Sequence, residues 1–328
     1  MKIAIIGYGN LGRAVFTVLP AFPDMELFAA YTRRDPDAVR EENERAGNGE
    51  QPLLLPFARL DEAEGEIDCL LVTAASDSDL PFLSPKLAAR FHLVDSFDTH
   101  SQIPAHLAAV GERARAGGRV AVLSAGWDPG IFSLARLYAS AFLPYARTNT
   151  FWGEGVSEGH SAAVRHLRGV KCAKAYTIPS PRAKLLAAQG LALSSTERHT
   201  RRVFIVAQEG ADKAKIEREV RRIPAYFAGY ETEVVFLTDE EFAHRCGGHP
   251  HRGEVLSVGR TGRYRAHRQT ASLTLTLDSN PEFTAGVLLA CARAAHRLAA
   301  EGKCGAFTLA DLPPRLFLPE EIPLERLL

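Results

Sequence analysis

The chain has 328 residues, 46% hydrophobic and 24% charged, and Lys plus Arg and Asp plus Glu each total 39, so it carries no net charge. That length accommodates two domains with sizeable cores, and neutrality removes the usual electrostatic case for nucleic acid or an anionic membrane as partner. Five widely spaced cysteines (Cys69, Cys172, Cys246, Cys291, Cys304) form no C-x-x-C pair, which argues against a disulfide framework or zinc ribbon and for a reducing compartment. No run approaches the ~18 apolar residues of a membrane span, and no signal-peptide pattern opens the chain. A cytoplasmic protein is expected.

KIAII (2–6) reads as a strand, followed by a glycine turn and a helical pattern through Leu19. MELFAAYT (25–32) predicts a second strand. From Arg33 to about Gly65 the chain is charged and irregular, with REENERAGNGEQP at its centre, and reads as a surface excursion. IDCLLVT (67–73), HLVDS (92–96) and RVAVLS (119–124) predict strands, separated by helices at LPFLSPKLAAR and IPAHLAAVGERARAG. Strand and helix alternating at short intervals predict a doubly wound parallel sheet of Rossmann-like type.

After Ser124 the pattern changes. AGWDPGIFSLARLYASAF predicts a turn feeding a helix, with Pro129 near its first position. TRRVFIVAQ, ETEVVFLT and GEVLSVGR read as strands, with a charged helix at 211–222. In ASLTLTLDS, Leu273, Leu275 and Leu277 alternate with Thr274 and Thr276, the period of a sheet with one buried face. NPEFTAGVLLACARAAHRLAAEG predicts a long helix closed by Gly302, before a proline-broken tail. The expected organisation is a dinucleotide domain over 1–124 and a mixed α+β substrate and dimerisation domain over 125–280. The last helix and tail (281–328) are expected to pack back on the first domain.

Gly7-Tyr8-Gly9-Asn10-Leu11-Gly12 has dinucleotide spacing and follows a strand into a helix. The glycines allow a tight turn and close approach of backbone to pyrophosphate, and the helix N-terminus offers amide donors. At the end of the second strand an NAD site would place Asp or Glu against the ribose; here stand Thr32, Arg33 and Arg34. Guanidinium forks match a 2′-phosphate, so NADP is expected; the alternative is a solvated pair balanced by Asp35 and Asp37.

SFDTH (96–100) and GWDPG (126–130) each follow a strand, and ligands bind beyond the carboxyl ends of such strands. Asp98 and Asp128 there suit a cationic substrate and proton handling; the competing readings are an Asx turn at Asp98 and a helix cap at Asp128. Cys246-Gly-Gly-His249-Pro-His251 could suggest a metal, but no second ligand pair accompanies it. No metal is expected, and a carboxylate-binding histidine is preferred.

At these residues the sequence resembles the NADP-dependent diaminopimelate dehydrogenase family of lysine and cell-wall synthesis. The matching stretches are GYGNLGR, the double arginine, SFDTH, AGWDPGIFS, TFWGEGVSEGHS, YTIPS, PAYFAGYETEV, NPEFTA and GAFTLAD, in order over nearly the whole chain. The resemblance implies NADP-dependent oxidative deamination of the D centre of meso-diaminopimelate by a homodimer. It implies cofactor contacts at Tyr8 to Leu11, Thr32 to Arg34, Thr73, Ala74, Ala75, Ser76, Ser96, Phe97, Asp98, Ala125, Gly126, Trp127, Asp128 and Pro129. It implies substrate contacts at Asp98, Asp128, Trp152, Glu158, Gly159, Thr177, Arg201, His251 and Asn280, with Asp98 and Asp128 catalytic. Dihydrodipicolinate reductases and homoserine dehydrogenases would keep the glycine turn without GWDPG and FWGxGxSxGH, and a non-catalytic NADP sensor would lack the paired acids.

Overall fold

The computed structural model describes residues 1–328 apart from 48, 225, 248, 249 and 321, and apart from the side chains of Glu158 and Leu324. It divides into two compact units, residues 1–134 with 281–328, and residues 135–280. The division falls after Leu134 rather than at Ser124.

In the first unit, β1 (Lys2–Ile6) leads through the glycine turn to α1 (Asn10–Val18) and β2 (Glu26–Thr32). The stretch expected to be an irregular excursion is ordered: it holds α2 (Pro36–Arg45) and β3 (Leu54–Pro56). Its charged composition hid four buried apolar positions, Val39 and Leu54 on one face of the sheet and Leu60 and Ala63 on the other, which dock it on the core. β4 (Cys69–Val72), α3 (Leu80–Ala88), β5 (Leu93–Asp95), α4 (Ile103–Ala116) and β6 (Val120–Val122) follow as the alternation predicts. α5 (Phe132–Phe142) starts later than expected, because Asp128, Pro129 and Gly130 are non-helical; Pro129 precedes the helix instead of opening it.

The second unit contains β7 (Arg147–Trp152), β8 (Gly155–Val156), α6 (Glu158–Arg165), β9 (Val170–Pro179), α7 (Pro181–Ala188), α8 (Ser195–Arg198) and β10 (His199–Ala207). Next come α9 (Lys213–Arg222), β11 (Thr232–Phe236), α10 (Asp239–Arg245), β12 (His251–Thr261) and β13 (His267–Leu277). A four-stranded mixed sheet runs β11-β10-β9-β8 and a three-stranded antiparallel sheet β13-β12-β7. In β13 the alternation holds as a strand, yet only Leu277 is buried while Leu273 and Leu275 are half-buried. Hydropathy reports the period of a strand more reliably than the depth of its cover.

α11 (Asn280–Ala300) and β14 (Gly305–Phe307) are the last α-helix and strand, followed by short 3-10 turns, and from Pro281 onward they belong to the first unit. α11 buries Ala285, Leu288, Leu289, Ala292 and Ala295 against the sheet. Arg293 in this helix forks onto both oxygens of Asp24 at 2.6 and 2.7 Å, and that pairing holds the Asp24 carboxyl below its ordinary range. The seven-stranded sheet has the order β14-β6-β5-β4-β1-β2-β3, parallel throughout. Alternate residues of β1 feed opposite faces: Ile3 and Ile5 join the α11 side, Ala4 and Ile6 the α3–α4 side. Strand order reverses between β1 and β4, so the crevice of such a sheet opens at their carboxyl ends. Among the described residues no helix is long and apolar enough to cross a membrane.

Candidate active site

A cavity of about 490 Å³ lies at that switch point, lined by Gly7, Tyr8, Gly9, Thr32, Arg33 and Arg34 and by Thr73, Ala74 and Ala75. Each glycine of the fingerprint has its own reason. Gly7 has φ +97°, and a Cβ on Gly12 would come within 2.2 Å of the Gly7 carbonyl oxygen. At Gly9 no atom lies within 4 Å of a Cβ position, so its backbone is open to a ligand. The turn is braced from β4: the Thr73 hydroxyl donates to the Gly7 carbonyl at 2.6 Å. Asn10 and Leu11 begin α1, whose N-terminal side chains form no cap, leaving its first amides for an anion.

Thr32 ends β2, and its hydroxyl accepts the Arg34 N–H at 3.1 Å, turning both arginines to the cavity rim. Their acidic partners are not the sequence neighbours. Arg33 bridges to Asp79 at 2.5 Å and Arg34 to Glu42 at 2.7 Å, while Asp35 caps α2 and Asp37 pairs with Arg40. With an open glycine turn, a helix N-terminus and two exposed guanidinium groups, the residues fit a phosphorylated dinucleotide.

Beyond β5, Phe97 is buried and stacks on His106 at 4.1 Å, while Asp98 is exposed. Among the described residues the Asp98 carboxylate accepts no hydrogen bond, so it forms no Asx turn; its backbone N–H donates to Ser76 Oγ at 2.9 Å. Ser96 is half-buried beside it. Beyond β6, Ala125 and Gly126 are buried, Trp127 packs on Phe132 at 5.2 Å, and Asp128 is half-buried. Asp128 has extended backbone and α5 begins only at Phe132, so the helix-cap reading does not hold.

In the second unit, β8, β9 and β10 bring Gly155, Thr177 and Arg201 into one cross-strand row. Arg201 is 6% exposed. Its Nη1 donates to Thr177 Oγ1 at 2.8 Å, its Nε to the Tyr226 carbonyl at 3.3 Å, and its guanidinium lies over the Tyr230 ring at 3.9 Å. Burial, opposed by Tyr230, pulls its pKa below the ordinary arginine value. Among the described residues it forms no ion pair. A buried cation without a fixed counter-ion is costly, and here that cost is met by neutral acceptors and an aromatic face. Arg202 points away and pairs with Glu233 at 2.6 Å.

The glycines of FWGEGVSEG let backbones meet around this row. A Cβ on Gly153 would fall 1.9 Å from the Thr177 carbonyl oxygen, and one on Gly155 would be 3.1 Å from the Cα of His251. Trp152 donates its backbone N–H to His199 Nε2 at 2.9 Å, and its ring stacks on that imidazole at 5.3 Å. Gly159 is exposed and faces Tyr226. Glu158 opens α6, but its side chain lies outside the described residues, as does His249. Asn280 is half-buried at the start of α11. His199, Tyr226 and Tyr230 were not singled out from sequence. Tyr226 and Tyr230 lie in the stretch PAYFAGYETEV, whereas His199 stands outside every matching stretch, and stacking and ring burial leave no spacing pattern. His160 was also missed: it bonds to Ser157, and burial with Arg201 nearby pushes it down to about 3.

Residues 126–279 match the family model described as the diaminopimelic acid dehydrogenase C-terminal domain. The meso-diaminopimelate D-dehydrogenase of Acetivibrio thermocellus is 44% identical over 322 residues, 98% of this chain and 95% of that protein. That of Corynebacterium glutamicum is 40% identical over 98% of this chain and 97% of its own length. The chain belongs to the meso-diaminopimelate D-dehydrogenase family. The solved C. glutamicum DAP dehydrogenase in complex with DAP has a TM-score of 0.90 at 39% identity, covering 100% of this chain and 98% of that one. An engineered D-amino acid dehydrogenase bound to NADP⁺ has a TM-score of 0.86 at 38% identity, again covering 100% and 98%. Family membership accounts for a dinucleotide turn, two strand-end acids and a buried arginine row occurring in one chain.

Proposed function

We propose that this protein is an NADP-dependent dehydrogenase that oxidatively deaminates the D-amino centre of meso-2,6-diaminopimelate, giving L-2-amino-6-oxopimelate and ammonia, reversibly. The observation that carries the reading is Arg201, a buried guanidinium that forms no ion pair among the described residues, in a chain of this family. It suits one carboxylate of a diacid.

In this reading Thr177 orients Arg201, His251 joins them in holding the L-end carboxylate, and Trp152, Glu158, Gly159 and Asn280 are further substrate contacts. Asp98 and Asp128 hold the D-end ammonium and take its proton, since hydride departs readily only from the neutral amine. The dinucleotide, cradled by Gly7 to Gly12 with its 2′-phosphate on Thr32, Arg33 and Arg34, supplies the hydride acceptor when bound. Water then attacks the carbon of the imine with carboxylate assistance, and ammonia leaves. General acid–base help of this kind typically contributes ~10²–10⁴-fold. We further propose that the enzyme is cytoplasmic and works as a homodimer.

Purified protein with NADP⁺ should produce the reduced-cofactor absorbance with meso-diaminopimelate and not with the LL isomer, which lacks a D centre. Comparable turnover of both isomers defeats the assignment. Light scattering that gives a monomer at assay concentration defeats the dimer.

A further inference from the structure

Asp95 ends β5 with 0% exposure, too deep to touch a ligand, and the chemistry proposed above makes no use of it. Its carboxylate nevertheless gathers four partners from four places in the fold. Oδ1 accepts the N–H of Phe97 at 3.2 Å and of Ser124 at 3.0 Å. Oδ2 lies 2.7 Å from Ser84 Oγ on α3 and 2.7 Å from His106 Nε2 on α4. A carboxylate can only accept, so both of these are donors. The Asp95 carbonyl takes the N–H of Ala125 at 2.9 Å as well.

These bonds fall on the roots of two loops. Phe97 immediately precedes Asp98, and Ser124 and Ala125 open the segment that leads to Asp128. Ser124 has φ +57°, a left-handed conformation that a residue with a Cβ keeps only under outside support. That support is the pair of bonds to Asp95 from its own N–H and from the next. The third strand-end loop joins through Ser76, whose hydroxyl accepts the Asp98 N–H at 2.9 Å.

We propose that Asp95 is a positioning residue: one buried carboxylate fixes the backbones of the 96–98 and 124–128 loops, and through them the placement of Asp98 and Asp128. The inference rests on the dehydrogenase reading. His106 and Ser84 in turn fix the Asp95 carboxylate, and the stack of His106 on Phe97 at 4.1 Å keeps that ring in place. A misplacement of about 1 Å in such groups is enough for ~10²-fold in rate.

The test compares Asp95→Asn, nearly isosteric but neutral, with Val110→Ala, a truncation on α4 within the same core that removes none of the hydrogen bonds to Asp95. Turnover of meso-diaminopimelate is measured per NADP⁺-binding site, so that loss of folded protein drops out, together with NADP⁺ affinity and the isotope effect of deuterium at the D carbon. Asp95→Asn is expected to lower kcat per site by at least about tenfold, with a larger isotope effect and NADP⁺ affinity within about threefold. Val110→Ala is expected to lower Tm and leave kcat per site unchanged. Should Asp95→Asn fail to bind NADP⁺, His106→Phe decides, since it keeps a ring on Phe97 and removes one donor; a loss of at least about threefold in kcat per site is then expected. Smaller losses in the deciding variant, or an equal loss in Val110→Ala, overturn the inference. An inactive wild type overturns the dehydrogenase reading and the inference with it, whereas an active wild type beside an unimpaired variant overturns the inference alone.

Discussion

Arg33 and Arg34 in the first unit and Arg201 in the second are the same side chain under opposite solvent conditions. The first two have side chains 57% and 55% exposed, one leaning on the half-buried Asp79 and the other on the exposed Glu42. Arg201 is 6% exposed and leans on a hydroxyl, a carbonyl and a ring. Exposed ion pairs contribute little and are screened by salt, so the arginine pair can exchange Asp79 and Glu42 for a phosphate at small net cost. A buried guanidinium cannot exchange with water in that way. In the proposed reading it accepts an anion that excludes solvent, and its removal should then matter far more than the removal of either exposed cation.

The largest expected effect follows from that contrast. Truncating one partner of a desolvated charge pair costs about 2–5 kcal/mol, because the other charge is left buried and unmatched. Arg201→Ala should therefore raise KM for meso-diaminopimelate by well over ~10-fold while NADP⁺ affinity by fluorescence titration stays put. Arg202→Ala, one residue along on the opposite face, should change neither. If the two variants behave alike, Arg201 is not the clamp and the contrast between the units fails.

Acid should strain the second unit for a related reason. His199 accepts the Trp152 N–H on Nε2, and its Nδ1 lies 3.1 Å from the Ser195 carbonyl, which can only accept, so the ring is neutral with its proton on Nδ1. Burial pushes His199 down to about 4, with Arg201, Arg198 and Lys184 adding repulsion; burial and then Arg201 push His160 down to about 3. Both folded values lie below the unfolded value near 6.5, so the unfolded chain takes up protons first. Stability is complete above about pH 6.5 and falls as pH drops toward 4, by about 2 kcal/mol for each ring at pH 5. His92 in the first unit moves the same way, also through burial. Thermal melts between pH 7 and pH 5 should show the decline, and His199→Gln, which cannot titrate, should have the shallower slope. Equal slopes would mean that the ring is not held neutral.

The units also differed in how far their sequences could be read. The parallel sheet was legible because each strand is a short apolar run followed by a helix, and the glycine turn because its spacing has a backbone cause. Residues 36–56 escaped because a docked helix with one buried apolar residue, Val39, and a three-residue strand look like a solvated loop. β9 and β14 escaped too, since KCAKAYT and GAF have neither strong alternation nor β-branched runs. In the site, Arg33, Arg34, Asp98 and Asp128 could be argued from strand ends alone. Arg201, Thr177 and His251 could be named only by resemblance, because what unites them is the register between β9 and β10 and the close approach of Gly155 to His251. Register is a three-dimensional fact with no local signature.

Next in size is the test of the two acids. Asparagine nearly matches aspartate in shape but cannot accept the amine's proton, so Asp98→Asn and Asp128→Asn should each retain NADP⁺ binding and lose at least about tenfold in kcat. Asp98, exposed and accepting no hydrogen bond among the described residues, should respond without any loss of Tm. If only KM rises in both variants, the acids are binding groups and the proton acceptor lies elsewhere in the chain.

The smallest effect should be the one that salt can erase. Replacing Arg33 and Arg34 together with glutamine removes the two forks proposed for the 2′-phosphate, but both stand in solvent, where each charge-assisted contact is discounted by screening. NADP⁺ affinity should fall by about tenfold relative to NAD⁺ at low ionic strength. The same comparison near 0.5 M salt should shrink toward a few-fold, because the Debye length there is only a few ångströms. The control lies on the same rim: Asp79→Asn frees Arg33 from its 2.5 Å partner and should tighten NADP⁺ slightly while leaving NAD⁺ alone. Arg201, shielded from solvent, should show no such dependence of substrate KM on salt once general ionic-strength effects on the wild type are subtracted. An equal loss of NADP⁺ and NAD⁺ in the double variant would remove the arginines from cofactor selection. A salt-independent loss would instead mean that the bound 2′-phosphate is buried, and the contrast between an exposed and a buried cation would then hold only before ligand arrives.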